Sequence, residues 1–600
     1  MASYRAPLDD IRFVVNDMLN FSDHYATLKE VEQVDRETFD LLLEQGGKFC
    51  EDVLHPLYRS GDEAGCEFDG GEVRLPAGYR EARARFVEAG WPALTARKKW
   101  GGQHLPRSLA IAINEMMCAT NPPWVMLTGL PNGVMMAMEA GSKASGDDAL
   151  EHRYFPGFVD GRFSATMCLT EPHCGTDLGL LRTRAEPQED GSYRLSGTKI
   201  FISYGEHDCA ENIIHLVLAR LPGAPSGTAG ISMFVVPKFL VDEEGCGGAR
   251  NAVSCGAIEH KMGYAASPTC VMNFEGAVGH IVGRPNEGLR YMFVMMNDAR
   301  IGSGMAGLGL ANASFQGALA YAKERLQSRA LSGAQNPDGP ADPILVHPGV
   351  RQLLLTQKAL TEGCRALVLD TARWCDVADY GATQEARAFA QQRLGLLTPI
   401  VKGFVTEVSN EVVSHGVQVL GGHGYIRESG MEQLMRDCRV TTIYEGTTQV
   451  QAMDLIGRKV MLDKGAALTS LVADIRAFCD AHIAHPRVSA HAASLRNKAQ
   501  EWHQLAAETG MAALNAPDEA GAASVDFLMY SGYVVVGFYW LKLALAAEEK
   551  LAAGGDPGFC HGKFKAADFY FRRLLPRTLS LAVTLRAGAG SLMEMNEEEF

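Results

Sequence analysis

The spacing of apolar positions divides the chain into three kinds of territory. From about residue 8 to 155, clusters such as Phe39, Leu42 and Leu43, or Leu109, Ile111 and Ile113, recur with polar residues between them. That rhythm predicts helices with one buried face. Between about 161 and 285 the period shortens. Asp190-Gly191 is a hairpin-turn dipeptide followed by Tyr193-Arg194-Leu195. The runs Ile213–Leu218, Ile231–Val236 and Thr269–Phe274 have strand length, with Gly- and Pro-rich turns between them. From about 286 to 460 helical periodicity returns, with Leu289, Met292 and Met296 on one face and a Gly/Pro/Asp-rich loop from Ser332 to Pro348. Beyond Lys464 the chain becomes Ala-rich and helical again. His482, His485 and His491 flank Pro486 there, and a proline interrupts any helix that would hold all three on one face, so they read as a linker. The expectation is a mainly α protein with an inserted β domain.

Composition narrows the class. The 600 residues are 47% apolar and 21% charged, which excludes wholesale disorder. A formal net charge of −15 argues against nucleic acid or an anionic membrane as the main partner. The 14 cysteines are scattered without a CxxC pair, which fits reduced thiols, a cytoplasmic location and no metal site. The first ten residues lack an apolar stretch and carry Asp9 and Asp10, so no targeting peptide is expected. The longest uncharged run, Phe527 to Leu541, ends at Lys542 and falls short of the roughly 20 residues a span requires. It is expected to be a buried helix rather than a membrane span.

Four segments offer candidate chemistry. Gly302-Ser303-Gly304-Met305-Ala306-Gly307 matches a dinucleotide fingerprint, but a helical pattern precedes it, and its small residues suit close helix packing. Met167 to Asp177 (MCLTEPHCGTD) mixes hydroxyls with a glycine that lets a ligand approach the backbone; an ordinary polar loop has the same content. Lys199 to Ser203 (KIFIS) places an aromatic and a hydroxyl on one face of a strand, suited to a flat heterocycle, as a plain strand also would. In Arg439 to Gln449 (RVTTIYEGTTQ), Thr447 or Thr448 can cap the helix implied by Val450, Met453 and Ile456. Glu445 then stands just before a helix N-terminus, either as a carboxylate favoured by the dipole or as a general base.

Taken in order, these segments resemble the acyl-CoA dehydrogenase family over roughly residues 36 to 460. MCLTEPHCGTD resembles its flavin- and substrate-binding strand, KIFIS its second flavin segment, and IYEGTTQ its catalytic-base loop. Met296-Asn297-Asp298-Ala299-Arg300 is similar to the family's acyl-CoA-contacting helix. Tyr321 to Gln327 (YAKERLQ) is similar to the segment whose arginine reaches flavin across a dimer, and Gln418 to Gly424 (QVLGGHG) to the loop that receives the adenosine part of the cofactor. The resemblance implies a helical N-terminal domain, a middle β-barrel and a C-terminal four-helix bundle, with an additional helical domain. The segments would be 1–35 as an N-terminal extension, 36–160, 161–285, 286–463, and 464–600 as the added domain. It implies FAD as cofactor, contacted by Met167, Leu169, Thr170, Gly175, Thr176, Phe201, Ser203, Arg325, Gln418, Gly421, Gly422, Thr447 and Gln449. Thr176, Asn297, Arg300 and Gly446 would meet substrate, and Glu445 would be the catalytic base.

The implied reaction is α,β-dehydrogenation of an acyl-CoA to the 2-enoyl-CoA in fatty acid β-oxidation, with electrons passing to an electron-transfer flavoprotein. A homodimer or higher homo-oligomer is expected. The chain departs from the family's pattern at Ser328-Arg329, where Phe-Gly is usual, and at His173-Cys174, where small residues are common. Tyr4 to Leu8 (YRAPL) and the unit after Lys464 resemble an extended subgroup that includes 3-methylmercaptopropionyl-CoA dehydrogenases and some fatty acyl-CoA dehydrogenases. Two alternatives stand beside this reading: an oxygen-using acyl-CoA oxidase, and a nucleic-acid-binding relative. Residues 461–600 carry 13 basic and 16 acidic side chains, which speaks against the second.

Overall fold

The computed structural model describes residues 4–243 and 245–600; Met1 to Ser3, the start of the stretch read for a targeting signal, lie outside them. The chain forms two compact units that cut across the sequential segments expected above. One gathers Phe49–Pro106 and Thr120–Ala299; the other gathers Met1–Lys48, Arg107–Ala119 and Arg300–Phe600. A buried ion pair joins two segments of the second grouping. Glu115, on the helix Arg107–Thr120, is fully buried and accepts from Arg365 Nε at 2.9 Å and from its Nη2 at 2.6 Å. Leaving either charge unpaired in such a place would cost several kcal/mol, about 3 to 5.

The first unit holds the sheet. A small hairpin of β1 (Glu67–Asp69) and β2 (Glu72–Arg74) precedes the main strands β3 (Phe163–Cys168), β4 (Arg184–Pro187), β5 (Tyr193–Ser203), β6 (Asn212–Arg220) and β7 (Ile231–Pro237). A short pair, β8 (Phe239–Val241) and β9 (Gly247–Arg250), leads to β10 (Val253–Ile258) and β11 (Thr269–Val282). Strand β7 pairs with both β6 and β11, and β11 runs through β5 and β4 back to β6, so these five close a barrel. Asp190-Gly191 makes the β4–β5 turn, with Gly191 at φ +80. Between Lys199 and Ile202 strand β5 has one more residue than β11 offers opposite, a bulge at Ile200-Phe201. Strand alternation alone would put Phe201 and Ser203 on one face; the bulge interrupts that alternation.

The barrel wall also carries two buried imidazoles. His207 Nδ1 accepts from the Cys209 N–H at 3.1 Å, which fixes its proton on Nε2, 2.8 Å from Ser164 Oγ. His215 is fully buried beside Thr166. Burial, with Lys238 and Arg250, pushes His215 down to about 3. Burial, with Arg83 and Lys238, likewise pushes His207 well below its ordinary value.

The second unit is helical. The helix Gly288–Glu324 begins in the first unit and continues into the second, where it contains the glycine run of the apparent dinucleotide fingerprint. A Cβ on Gly304 would lie 2.6 Å from Val401 Cγ1, and one on Gly309 would lie 2.7 Å from Ala119 N. These glycines permit close helix packing. The helix Asp518–Ala552 contains the Phe527–Leu541 run and, at 35 residues, is long and apolar enough to cross a membrane by length and composition. The sequence run alone understates it, because Ala-rich flanks extend the helix. In the fold, 83% of its most apolar window is buried. Trp540 Nε1 donates to Ala359 O at 2.9 Å, and Tyr539 Oη donates to Asp370 Oδ2 at 2.7 Å. The N-terminal stretch is strapped to this layer: Lys550 pairs with Asp17 at 2.6 Å, Lys563 pairs with Asp10, and Phe13 meets Phe559 edge-on at 5.3 Å. Of the three histidines, His482 and His485 stay together, with ring centroids 6.2 Å apart, and His491 lies elsewhere. His485 pairs with Glu548, while His491, already inside the helix Ser489–Asn515, stacks on Phe571.

Two predictions follow from this packing. Truncation after Lys464 removes the helix Asp518–Ala552 and uncovers its partners, so the shortened chain should aggregate or bind hydrophobic dye strongly; a monodisperse truncation with low dye binding would contradict this. In the unfolded chain His207 and His215 titrate near 6.5, so below that the unfolded state binds more protons than the fold. Stability should therefore fall as pH drops below about 6.5, by up to about 1.4 kcal/mol per pH unit for each imidazole. Urea unfolding across that window should show the slope, and His207→Gln should flatten it.

Candidate active site

Glu445 lies between the turn Val440–Thr442 and the helix Thr448–Met453. Its backbone is left-handed at φ +56, and Gly446 follows at φ +90. For a residue with a Cβ that conformation costs about 1 kcal/mol and persists only where neighbours enforce it. Three contacts do so. Thr447 caps the helix by accepting from the Val450 N–H at 3.3 Å. Thr448 Oγ1 donates to Glu407. Gln451, fully buried, donates its Nε2–H to the Glu445 carbonyl at 3.0 Å. A Cβ on Gly446 would stand 2.6 Å from that same Nε2, so glycine is required there both by backbone and by space.

The carboxyl of Glu445 is pushed up to about 7, by burial first, against the downward pull of Arg300 and Lys402. A carboxylate in this state exchanges protons near neutrality, which is what a general base needs. Arg300 is buried and pairs with Asp454 at 3.7 Å; Asp454 also takes Arg458 at 3.5 Å. Lys402 is fully buried, and desolvation lowers its ammonium to about 8. Lys402 and Asp454 sit on π-helical turns, Val401–Val405 and Asp454–Met461. Such turns insert a residue into a helix and recur at functional sites.

The remaining candidates divide between the two units. In the helical unit, Arg325 is exposed just beyond the helix Gly288–Glu324. Tyr321 Oη lies 3.3 Å from His423 Nδ1, which brings that helix end to the Gln418–Gly424 segment. Gln418, Gly421 and Gly422 are exposed, and a Cβ on either glycine would meet nothing within 4 Å. Gln449 is exposed on the first turn of its helix. Asn297 is exposed on the part of the Gly288–Glu324 helix that belongs to the unit with the sheet.

In the β unit, Met167 ends in β3 half-buried, Leu169 is buried, and Thr170 is half-buried. Gly175 and Thr176 are exposed, and a Cβ on Gly175 would meet only Thr170 Cγ2, at 3.4 Å. The loop is clamped by a buried pair: Lys199 Nζ donates to Glu171 Oε1 at 2.8 Å and to Leu169 O at 2.9 Å. The Ile200 N–H donates to Thr170 O, which ties the loop to the bulge. At that bulge Phe201 has φ +58 and is 60% exposed, and Ser203 is half-buried. An apolar ring held open to solvent by strained backbone suits a flat ligand. Glu171, His173 and Cys174 lie close enough to ligate a metal, but the Glu171 oxygens already accept from Lys199, Thr183 and the Arg182 N–H.

Lys402, Glu407, Gln451 and Asp454 were not marked by the sequence motifs. A lysine within the apolar stretch Pro399–Val405 was the available signal for the first.

Residues 166–277 match the acyl-CoA dehydrogenase middle domain, 286–461 the acyl-CoA dehydrogenase C-terminal domain, and 471–596 an acetyl-CoA dehydrogenase C-terminal-like domain. A 3-methylmercaptopropionyl-CoA dehydrogenase of Ruegeria pomeroyi is 42% identical over 96% of both chains. A broad-specificity linear acyl-CoA dehydrogenase, FadE5, of Mycobacterium tuberculosis is 32% identical over the full length of both. Among solved structures, an acyl-CoA dehydrogenase from Bacillus anthracis complexed with FAD shares the fold, with TM-score 0.72, 18% identity, and coverage of 96% of this chain and 91% of its own.

Gln451→Leu removes the donor to the Glu445 carbonyl at nearly constant volume. Amide exchange over Glu445–Thr447 should speed about tenfold, the loss of one modest hydrogen bond, with little change in melting temperature. Unchanged exchange would show that the left-handed turn holds without it.

Proposed function

The chain belongs to the acyl-CoA dehydrogenase family, and on that premise we propose that it removes the α- and β-hydrogens of a short acyl-CoA thioester, with 3-methylmercaptopropionyl-CoA as the substrate. The observation that carries the mechanism is Glu445: strained, flanked by two cations, and titrating about neutrality. The substrate assignment is supported by the full-length relative of that name.

Members of the family are FAD enzymes, and bound FAD supplies the acceptor for the hydride leaving the β-carbon. The open aromatic at Phe201, the unobstructed Gly175 and the Gly421-Gly422 corner fit such a cofactor. Met167, Leu169, Thr170, Phe201 and Ser203 would take its ring system, with Gly175 and Thr176 beside it. Arg325, Gln418, Gly421, Gly422, Thr447 and Gln449 would take its remaining parts, the guanidinium suiting a pyrophosphate.

Glu445 receives the α-proton. As its carboxylate oxygen forms the O–H bond, the Cα–H electron pair becomes the new Cα=Cβ bond and the β-hydrogen departs with its own pair. The thioester acidifies the α-carbon only modestly, so proton removal and hydride departure belong to one event. Substrate binding strips water from the carboxylate, and the flanking cations then hold it ionised until the proton arrives. Gln451 and the Thr447 cap keep its carbon skeleton fixed during the transfer. Electrons would leave to an electron-transfer flavoprotein from a homo-oligomeric cytoplasmic enzyme.

Glu445→Gln should remain yellow and folded, while its flavin bleaches more slowly with 3-methylmercaptopropionyl-CoA by about 10²- to 10⁴-fold. Bleaching at the wild-type rate would place the base elsewhere. Across a panel of thioesters, the wild-type flavin should be reduced faster by 3-methylmercaptopropionyl-CoA and butyryl-CoA than by palmitoyl-CoA; the reverse order would overturn the substrate assignment.

A further inference from the structure

Lys402 is the least explained charge in the molecule. It is 0% exposed, and its Nζ has no hydrogen-bond partner among the described residues. An isolated buried ammonium is so unfavourable that it survives only if nearby charge compensates or if it gives up its proton.

The charges facing it come from each neighbouring element. Glu445 on the catalytic turn and Glu407 on the helix Thr406–Leu420 attract it; Arg300 on the helix Gly288–Glu324 repels it. Glu407 is already engaged by Thr448, and Arg300 is already balanced by Asp454, which also takes Arg458. Of the two carboxylates, Glu445 acts on Lys402 more strongly than Glu407 does.

The position is also held from two sides. A Cβ on Gly304 would clash with Val401, and Leu528 and Phe404 occupy the room left by Gly403 and Gly532 on the helix Asp518–Ala552. Phe404 further meets Tyr533 edge-on at 5.0 Å. The lysine therefore cannot swing away to water.

Building on the assignment of Glu445 as base, we infer that Lys402 is a positioning residue whose fixed charge keeps the Glu445 carboxylate ionised when substrate has displaced water. The need is specific. Dehydrating a carboxylate favours its protonated form, and a protonated base accepts nothing. A cation out in solvent stays screened by water; a buried one acts more strongly as the local dielectric falls. Once Glu445 holds the α-proton, Lys402 loses its counter-charge, which favours release of that proton after product leaves. The lowered titration of Lys402 agrees with a cation that is only partly compensated.

The test uses FAD-loaded wild type, Lys402→Met, Lys402→Gln and Lys402→Arg. Two readouts are followed against pH: anaerobic flavin bleaching by butyryl-CoA, and the infrared band of the protonated Glu445 carboxyl, identified by its loss in Glu445→Gln. Both neutral variants should move the acidic limb and the infrared titration upward together, by about one pH unit, while the arginine variant leaves both near wild type. Two neutral variants guard against one failing to fold, with FAD content as the check. The inference is overturned if the neutral variants titrate as wild type does, or if all three variants shift alike, which would mark a steric effect. Bleaching of Glu445→Gln at the wild-type rate would instead remove the assignment of the base itself.

Discussion

Half-buried Glu445 is pulled in two directions, toward neutrality by desolvation and toward ionisation by two cations, and much of the helical unit can be understood from that balance. Burial drives Glu445 toward its neutral form, and the opposing charges of Arg300 and Lys402 bring it back to about 7. Each cation creates its own debt of desolvation. Arg300 settles part of it on Asp454, whereas Lys402 has the two glutamates and no hydrogen bond. The catalytic turn is held in a conformation that an L-residue avoids, and Gln451 and Thr447 supply the contacts that keep it there.

The additional C-terminal helices acquire a physical role from the same geometry. The helix Asp518–Ala552 supplies Leu528 and Gly532, which pack on Gly403 and Phe404, so it forms the back wall of the turn carrying Lys402. It is bound to the helix Pro348–Tyr380 by Trp540 and Tyr539, and through Lys550 the layer reaches Asp17 near the N-terminus. The charge beside Glu445 and the far C-terminal helices are thus one packed assembly. A domain appended to the chain need not be a separate module.

The sequence made the local elements legible and left the long-range ones hidden. Uninterrupted β-type runs announced β6, β7 and the start of β11, and Asp190-Gly191 marked the β4–β5 turn. The four-residue β4 and the exposed β9 carry too little apolar signal to be seen. The loop with Glu445, Gly446 and Thr447 was readable because a cap, a glycine and an acid occur together within a few residues. Its chemical partners were less so: Arg300 was marked only as a substrate contact, Lys402 and Glu407 were not marked, and all three reach the loop from segments 38 to 145 residues earlier in the chain. Nor does the pattern reveal π-turns, since the inserted residue is accommodated by neighbours such as Gly304 and Gly532 rather than by local propensity. Arg107–Ala119 is likewise joined to the C-terminal half at long range, by a buried Glu115–Arg365 pair spanning 250 residues.

If the α-proton reaches Glu445 in the same event that sends the β-hydrogen away, breaking both C–H bonds limits flavin reduction. Anaerobic flavin bleaching by butyryl-CoA deuterated at the α-carbon, at the β-carbon and at both, followed from about pH 6 to about pH 9, tests it most directly. The account predicts slowing by each single label, a product of the two effects for the doubly labelled substrate, and an acidic limb near 7 in every case. An absent α-effect, or a rate with no acidic limb, would contradict it.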